Sequence, residues 1–177
     1  MSKPPSNPIQ KRLEKLEGQW TAFIEQPEAR ILRWFVDDDS LQMIQLFVDL
    51  QSEPVSEIPD LFVEFKTDFE QPADFAGRLI ASLREQYDAN REEIAADGIK
   101  TDWVCPKYSS APTVAELVNV LVSFHTSHQA LAEHLAVVLW PEKTPKAALW
   151  ERWLAELVAL RIPPVIRFVV VDRKQFP

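Results

Sequence analysis

The sequence predicts an α/β fold, with a mostly parallel sheet of at least four strands and helices on both faces. Three observations carry that expectation. Residues 135–140 and 165–171 are short, nearly unbroken apolar runs, each closed by an acid (Glu142, Asp172) and joined by an amphipathic stretch through Trp150, Trp153, Leu154 and Leu157. Strands of a parallel sheet are buried on both faces and read as continuous apolar runs, and parallel neighbours need a crossover, usually a helix. Strand-like runs then alternate with helical periodicity along the whole chain, the pattern of a doubly covered sheet. Finally, 177 residues with 46% apolar and 26% charged side chains suffice for one domain with a full core.

Taken in order, residues 1–8 are polar and proline-rich and read as a flexible leader, with residues 9–177 as a single domain. Leu13, Leu16, Trp20, Phe23 and Ile24 recur at helical spacing as far as Gln26, and Pro27 ends that helix. Residues 29–36 form the first strand, and its Arg30 and Arg33 mark an edge position. Asp37-Asp38-Asp39-Ser40 follows. Asp39 or Ser40 is expected to cap the next helix, over 41–51, because a short side-chain oxygen accepts from the orphan N–H groups of a first turn. Residues 54–59 make a loop and 60–66 a second, alternating strand that ends near Asp68. Pro72 suits the start of a long helix over 73–96, since its missing N–H would be unpaired there, and Gly98 stops it. Residues 99–112 lack a period and read as an ordered connection pinned by Trp103 and Tyr108. Thr113 and Glu116 form a capping box that opens a helix to about His134, before the two apolar strands. The chain stops just after its last strand, as the front part of a longer protein would.

Charge and composition exclude several functions. With 19 basic and 27 acidic residues the net charge is −8, so nucleic-acid phosphates and anionic lipid would be repelled, and neither is an expected partner. No apolar run reaches the roughly 20 residues that span a bilayer, and the first residues are not an apolar signal segment; the chain reads as cytoplasmic. Cys105 is the sole cysteine, so neither a disulfide nor a thiolate zinc site is expected from it. The three glycines, Gly18, Gly77 and Gly98, are too few and too scattered for G-x-x-x-x-G-K-S/T or G-x-G-x-x-G, and no nucleotide cofactor is expected.

The order strand, acidic loop, helix, strand, helices, strand ending at Glu142, helix, strand ending at Asp172 resembles the core of P-loop NTPases of the AAA and STAND kind. In that resemblance 31–36 is the first strand, Asp37 to Ser40 stand where the phosphate loop belongs, and 135–142 occupy the Walker B position. Three aspartates replace the glycine-rich loop and its lysine. The resemblance therefore implies a degenerate relative without nucleotide binding.

Three constellations are candidates for function. Asp37, Asp38, Asp39, Asp68, Glu142 and Asp172 fall at the expected C-terminal ends of strands, where carboxylates can collect Mg²⁺ for phosphoryl chemistry. In that reading Asp37, Asp38, Glu142 and Asp172 are catalytic, with Asp37 and Asp172 as metal ligands. Against it, acids in such loops commonly cap helices and turns, and only Ser40, Thr67, Lys143 and Thr144 stand by as helpers. His125 and His128 share a helix face without a placed carboxylate, and they and His134 read as surface or helix-end residues. Of the six tryptophans, Trp140, Trp150 and Trp153 are the candidates for contact with a partner, weighed against an ordinary place in the core. The favoured expectation is a non-catalytic adaptor, regulatory or scaffold domain that binds a protein partner or a second copy of itself without a cofactor. The alternatives are a Mg²⁺-dependent phosphoryl-transfer or hydrolase domain and a crevice that takes a small ligand.

Overall fold

The computed structural model describes residues 5, 7–53 and 56–173, so most of the expected leader lies outside the described residues. The elements follow in the expected order: α1 (Pro8–Ile24), β1 (Ile31–Val36), α2 (Asp38–Gln51), β2 (Asp60–Phe65), α3 (Pro72–Ala96), α4 (Val114–Ser127), β3 (His134–Leu139), α5 (Ala147–Ala159) and β4 (Ile166–Arg173). The four strands form one parallel sheet in the order β1-β4-β3-β2. The two unbroken apolar runs, β3 and β4, are its centre, and the arginine-bearing β1 is an edge.

Side chains alternate across a strand, so each central strand serves two cores. Leu135, Val137 and Leu139 with Ile166, Phe168 and Val170 face α3, α4 and α5. Ala136, Val138 and Trp140 with Val169 and Val171 face α1 and α2, where Trp20, Phe23, Ile44 and Phe47 meet them. The sheet is thus apolar on both faces, which explains why its central strands carry no polar period.

One residue breaks this rule. Arg167, the second residue of β4, lies on the α1 face and is 2% exposed. Its guanidinium donates to the carbonyls of Gln26 (3.1 Å), Ala29 (2.6 Å) and Pro164 (2.9 Å), with longer bonds to Phe23 (3.3 Å) and Ile24 (3.4 Å). The last carbonyls of a helix have no intrahelical donor and carry the negative end of its dipole. A buried cation here satisfies them and is itself solvated by them, although burial still pulls the guanidinium below its ordinary pKa. A second buried tie sits at the same edge: Asp60 accepts from Trp20 Nε1 (2.9 Å) and from the backbone N–H of His134 (3.1 Å), with His134 Nδ1 2.8 Å away. Together they fasten α1 to β4, β2 and β3.

Two boundaries differ from expectation. α4 ends at Ser127 rather than near His134, because the N–H of Glu133 donates to the Pro59 carbonyl (2.7 Å) and starts the β2–β3 ladder; His134 is therefore the first residue of β3. The α2 cap is Asp37, not Asp39 or Ser40: its carboxylate accepts from Ser40 N–H (3.0 Å), and Asp38 and Asp39 already lie in the first turn. The capping box at Thr113 and Glu116 forms as read, and Gly98, at φ +78°, turns the chain out of α3.

Two predictions follow from these ties. Arg167→Met, which keeps the stem but takes the side-chain donor from the Ile24 and Pro164 carbonyls while those of Phe23, Gln26 and Ala29 keep another, should cost roughly 1–3 kcal/mol in urea unfolding. Asp37→Ala should cost about 1 kcal/mol while Asp37→Asn, also a good cap, retains most of the stability.

Candidate functional site

A parallel sheet places its sites beyond the C-terminal ends of its strands. That edge here carries an open cleft of ≈ 1210 Å³, formed by the ends of β1 and β4, the loop after β3 and the first half of α5. Of the four acids assigned to phosphoryl chemistry, Asp38, Glu142 and Asp172 line it, as does Asp68. Asp37 instead turns its carboxylate back onto the start of α2.

Asp172 and Asp68 each already have a protein partner. Asp172 stands opposite Phe35 in the β1–β4 register and accepts from the Arg33 guanidinium and from Trp150 Nε1 (3.1 Å). Arg33 also donates to both oxygens of Glu151, so one cation on β1 ties β4 and α5 together. Hydrogen bonding to Glu151 raises the Arg33 pKa above its ordinary value, and the same bond holds Glu151 below the usual carboxylate range. The Asp68 carboxylate accepts from Lys143 N–H (2.9 Å) while Phe69 N–H donates to the Lys143 carbonyl (3.1 Å), which laces the loops after β2 and β3 to each other.

These bonds decide what the edge can do. Among the described residues no group of three or more His, Cys, Asp or Glu stands together as a metal site. The lining holds twice as many carboxylates as cations, the cations being Arg33, Lys143 and Arg173. An anionic phosphate would meet net negative charge, and Arg33 is already engaged by two carboxylates. Phe35 forms an exposed apolar rim, 57% accessible, with the Arg33 guanidinium 4.7 Å from its ring centre.

The tryptophans expected at a partner surface are inside the protein. Trp140, Trp150 and Trp153 are all buried. Trp150 and Trp153 stack at 5.8 Å and meet Phe69 and Phe75, so helical spacing that suggested an aromatic surface instead fills the core beneath α5. Trp140 packs on the α1–α2 side. A contact surface must use other residues.

The histidines are likewise structural, and His125 and His128 are buried rather than on the surface. His125 Nε2 lies 3.2 Å from the Ala132 carbonyl, and His128 Nδ1 lies 2.8 Å from that of Phe124. Since carbonyls only accept, those nitrogens carry the hydrogens. Cys105 is half-buried, and burial pushes its thiol up, away from the reactive thiolate.

Sequence reading passed over the hub of this edge. Arg33 marks an edge strand in the sequence, but its selection of Asp172 and Glu151 depends on β1 lying beside β4. The available signal was an arginine at the level where the neighbouring apolar strand ends in an acid.

The Arg33 network makes stability depend on pH with a definite sign. A carboxyl held down in the folded chain contributes stability above its unfolded pKa, about 4.3 for glutamate, and loses it as pH falls through the lower folded value. Glu151→Gln should therefore flatten part of the acid limb of urea midpoint against pH. At neutral pH the change should stay below about 1 kcal/mol, because this exposed pair is screened by water.

Comparison of the chain with family models, with curated proteins and with solved structures finds no match.

Proposed function

We propose that this chain is a non-catalytic protein-interaction domain of the adaptor, regulatory or scaffold kind, built on an NTPase-like sheet that does not hold nucleotide. The observation that carries the reading is the start of α2. In a helix that follows the first strand of such a sheet, free backbone N–H groups form the natural seat of a phosphate. Here the Asp37 carboxylate accepts from the Ser40 N–H, and Asp38 and Asp39 occupy the first turn. The helix N-terminus is served by the chain's own negative charge. The rest of the strand-end edge supports the same reading, since Asp172 and Asp68 are held by Arg33, Trp150 and the Lys143 backbone. Surface features fit contact better than chemistry: β1 is an edge strand without proline, and edge strands present unpaired backbone groups to a partner.

The test is a thermal melt with and without millimolar MgCl₂ and ATP, beside a light-scattering mass. A ligand at a hundred times its Kd would add about 2.7 kcal/mol, which for a chain of this size is on the order of 5–10 °C. The expected outcome is a shift within error for magnesium, ATP and the two together. A rise of several degrees would overturn the reading and turn attention to Asp38, Glu142 and Asp172.

A further inference from the structure

We infer that a groove between α3 and the connection that follows it is a docking site for an acidic peptide segment carrying apolar side chains. This names a partner chemistry for the interaction reading and rests on it, but the groove lies away from the strand-end cleft and shares no residue with it.

The connection over 99–113 has no regular secondary structure, yet it is fastened at both ends. Trp103 is buried, donates its backbone N–H to Tyr87 Oη (3.3 Å) and its indole N–H to Ser123 Oγ (3.1 Å), and meets the Tyr87 and Phe124 rings edge-on. Farther along, Ser109 donates its N–H and hydroxyl to Glu116 (both 2.9 Å). Long connections without structure of their own are uncommon in a folded domain and are usually functional or disordered. This one is anchored, so a ligand would not have to order it, which lowers the entropic cost of binding.

Between the anchors the segment leaves a groove of ≈ 530 Å³ against α3. Val104 on its lip is 82% exposed, more than any other large apolar side chain among the described residues. Nothing in the fold requires an apolar side chain there. The cations Arg84 and Arg91 of α3 and Lys107 of the connection surround it, against one lining carboxylate, Asp88. Asp88 is paired with Arg91 (2.9 Å), whose guanidinium also lies 5.0 Å from the Tyr87 ring centre, and Arg84 donates to Tyr108 Oη (3.3 Å).

Charge selects the occupant. The chain carries −8, so a local excess of cations is a reversal of its overall field and the place where a carboxylate-rich segment is attracted. A nucleic acid or an anionic membrane presents a long array of phosphates and would meet the repulsive remainder of the surface. A short peptide meets only the groove. Arg84 and Arg91 are seven residues apart, two helical turns or about 10.5 Å. In a polyproline II segment, side chains three apart share one face at about 9 Å. Acids at every third position, with apolar side chains between them to reach Val104, match both features.

The experiment is fluorescence anisotropy on the whole chain. The probe is a fluorescein-labelled nonapeptide with glutamate at every third position, each followed by leucine and with proline completing the triplet; its control has lysine for glutamate. Expected results are saturable binding of the acidic peptide only, weaker binding as salt rises, and slower reaction of Cys105 with a thiol reagent when peptide is present. Arg84→Glu/Lys107→Glu and, separately, Val104→Asp should each weaken binding about tenfold or more. Their urea midpoints should stay near that of the parent, because these side chains are exposed; Lys107→Glu alone gives a second reading free of the Arg84–Tyr108 bond. No binding by the parent chain, equal binding of the lysine control, unchanged affinity in all three variants, or tighter binding of a single-stranded RNA at the same residues would each overturn the assignment. A flat magnesium and ATP melt with no peptide binding would remove this site and leave the interaction reading; a nucleotide-induced rise with intact peptide binding would do the reverse.

Discussion

The bonding of Arg167 to the end of α1 is the constraint on which one whole face of this protein depends. α1 precedes the sheet in the chain and packs beside α2 over β3 and β4; its last turn sets Phe23 against the sheet while Glu25 and Gln26, just past its end, are exposed. The Phe23, Gln26 and Ala29 carbonyls also accept from Gln26 N–H, Ala29 N–H and Arg30, so Arg167 adds a second donor to these and supplies one to the Ile24 and Pro164 carbonyls. An arginine at the start of β4 reaches several carbonyls at once, since its five donors are held in a rigid fork and it remains charged. The carbonyls in turn make a buried cation tolerable.

The two ends of the sheet use charge differently. At the N-terminal edge, Asp60 and Arg167 are buried and bonded to Trp20, His134 and the α1 carbonyls, so their charges serve assembly. At the C-terminal edge, Arg33 stands between Asp172 and Glu151 in a cleft open to water. A site of phosphoryl chemistry would need free carboxylates converging on a metal and a cation aimed at the transferred group. Instead the cation is bound by two acids, and Asp37 caps α2. The arrangement stiffens the junction of β1, β4 and α5, and its residual negative charge disfavours anions.

Exposed chemistry is concentrated elsewhere. Val104, the most exposed large apolar side chain among the described residues, lines a groove with Arg84, Arg91 and Lys107 on a segment fastened by Trp103. In an acidic protein, a basic and apolar groove on a fixed frame is a selective surface. Its cations attract carboxylates, the surrounding field rejects longer polyanions, and the apolar lip discriminates among acidic segments.

The α/β class, the order of the nine elements among the described residues and the burial of the last two strands on both faces were legible in the sequence, because such burial leaves an unbroken apolar run and helices leave a 3.6-residue period. So was the Thr113–Glu116 capping box, whose partners are three residues apart. The roles of Arg33, Arg167, Trp150 and Trp153 came only with the packed fold, since they rest on neighbours distant in sequence. Asp39 and Ser40 were the expected caps of α2, but β1 ends at Val36 and the helix begins at Asp38, which leaves the cap to Asp37. α4 had the period to run on to His134, but Pro59 and Asp60 took Glu133 and His134 into the sheet. Trp150 and Trp153 have the same spacing whether they face a partner or a core, and packing against Phe69 and Phe75 put them inside. Arg33 and Arg167 each interrupt an apolar run; only the strand order shows that one faces Asp172 and the other the open end of α1.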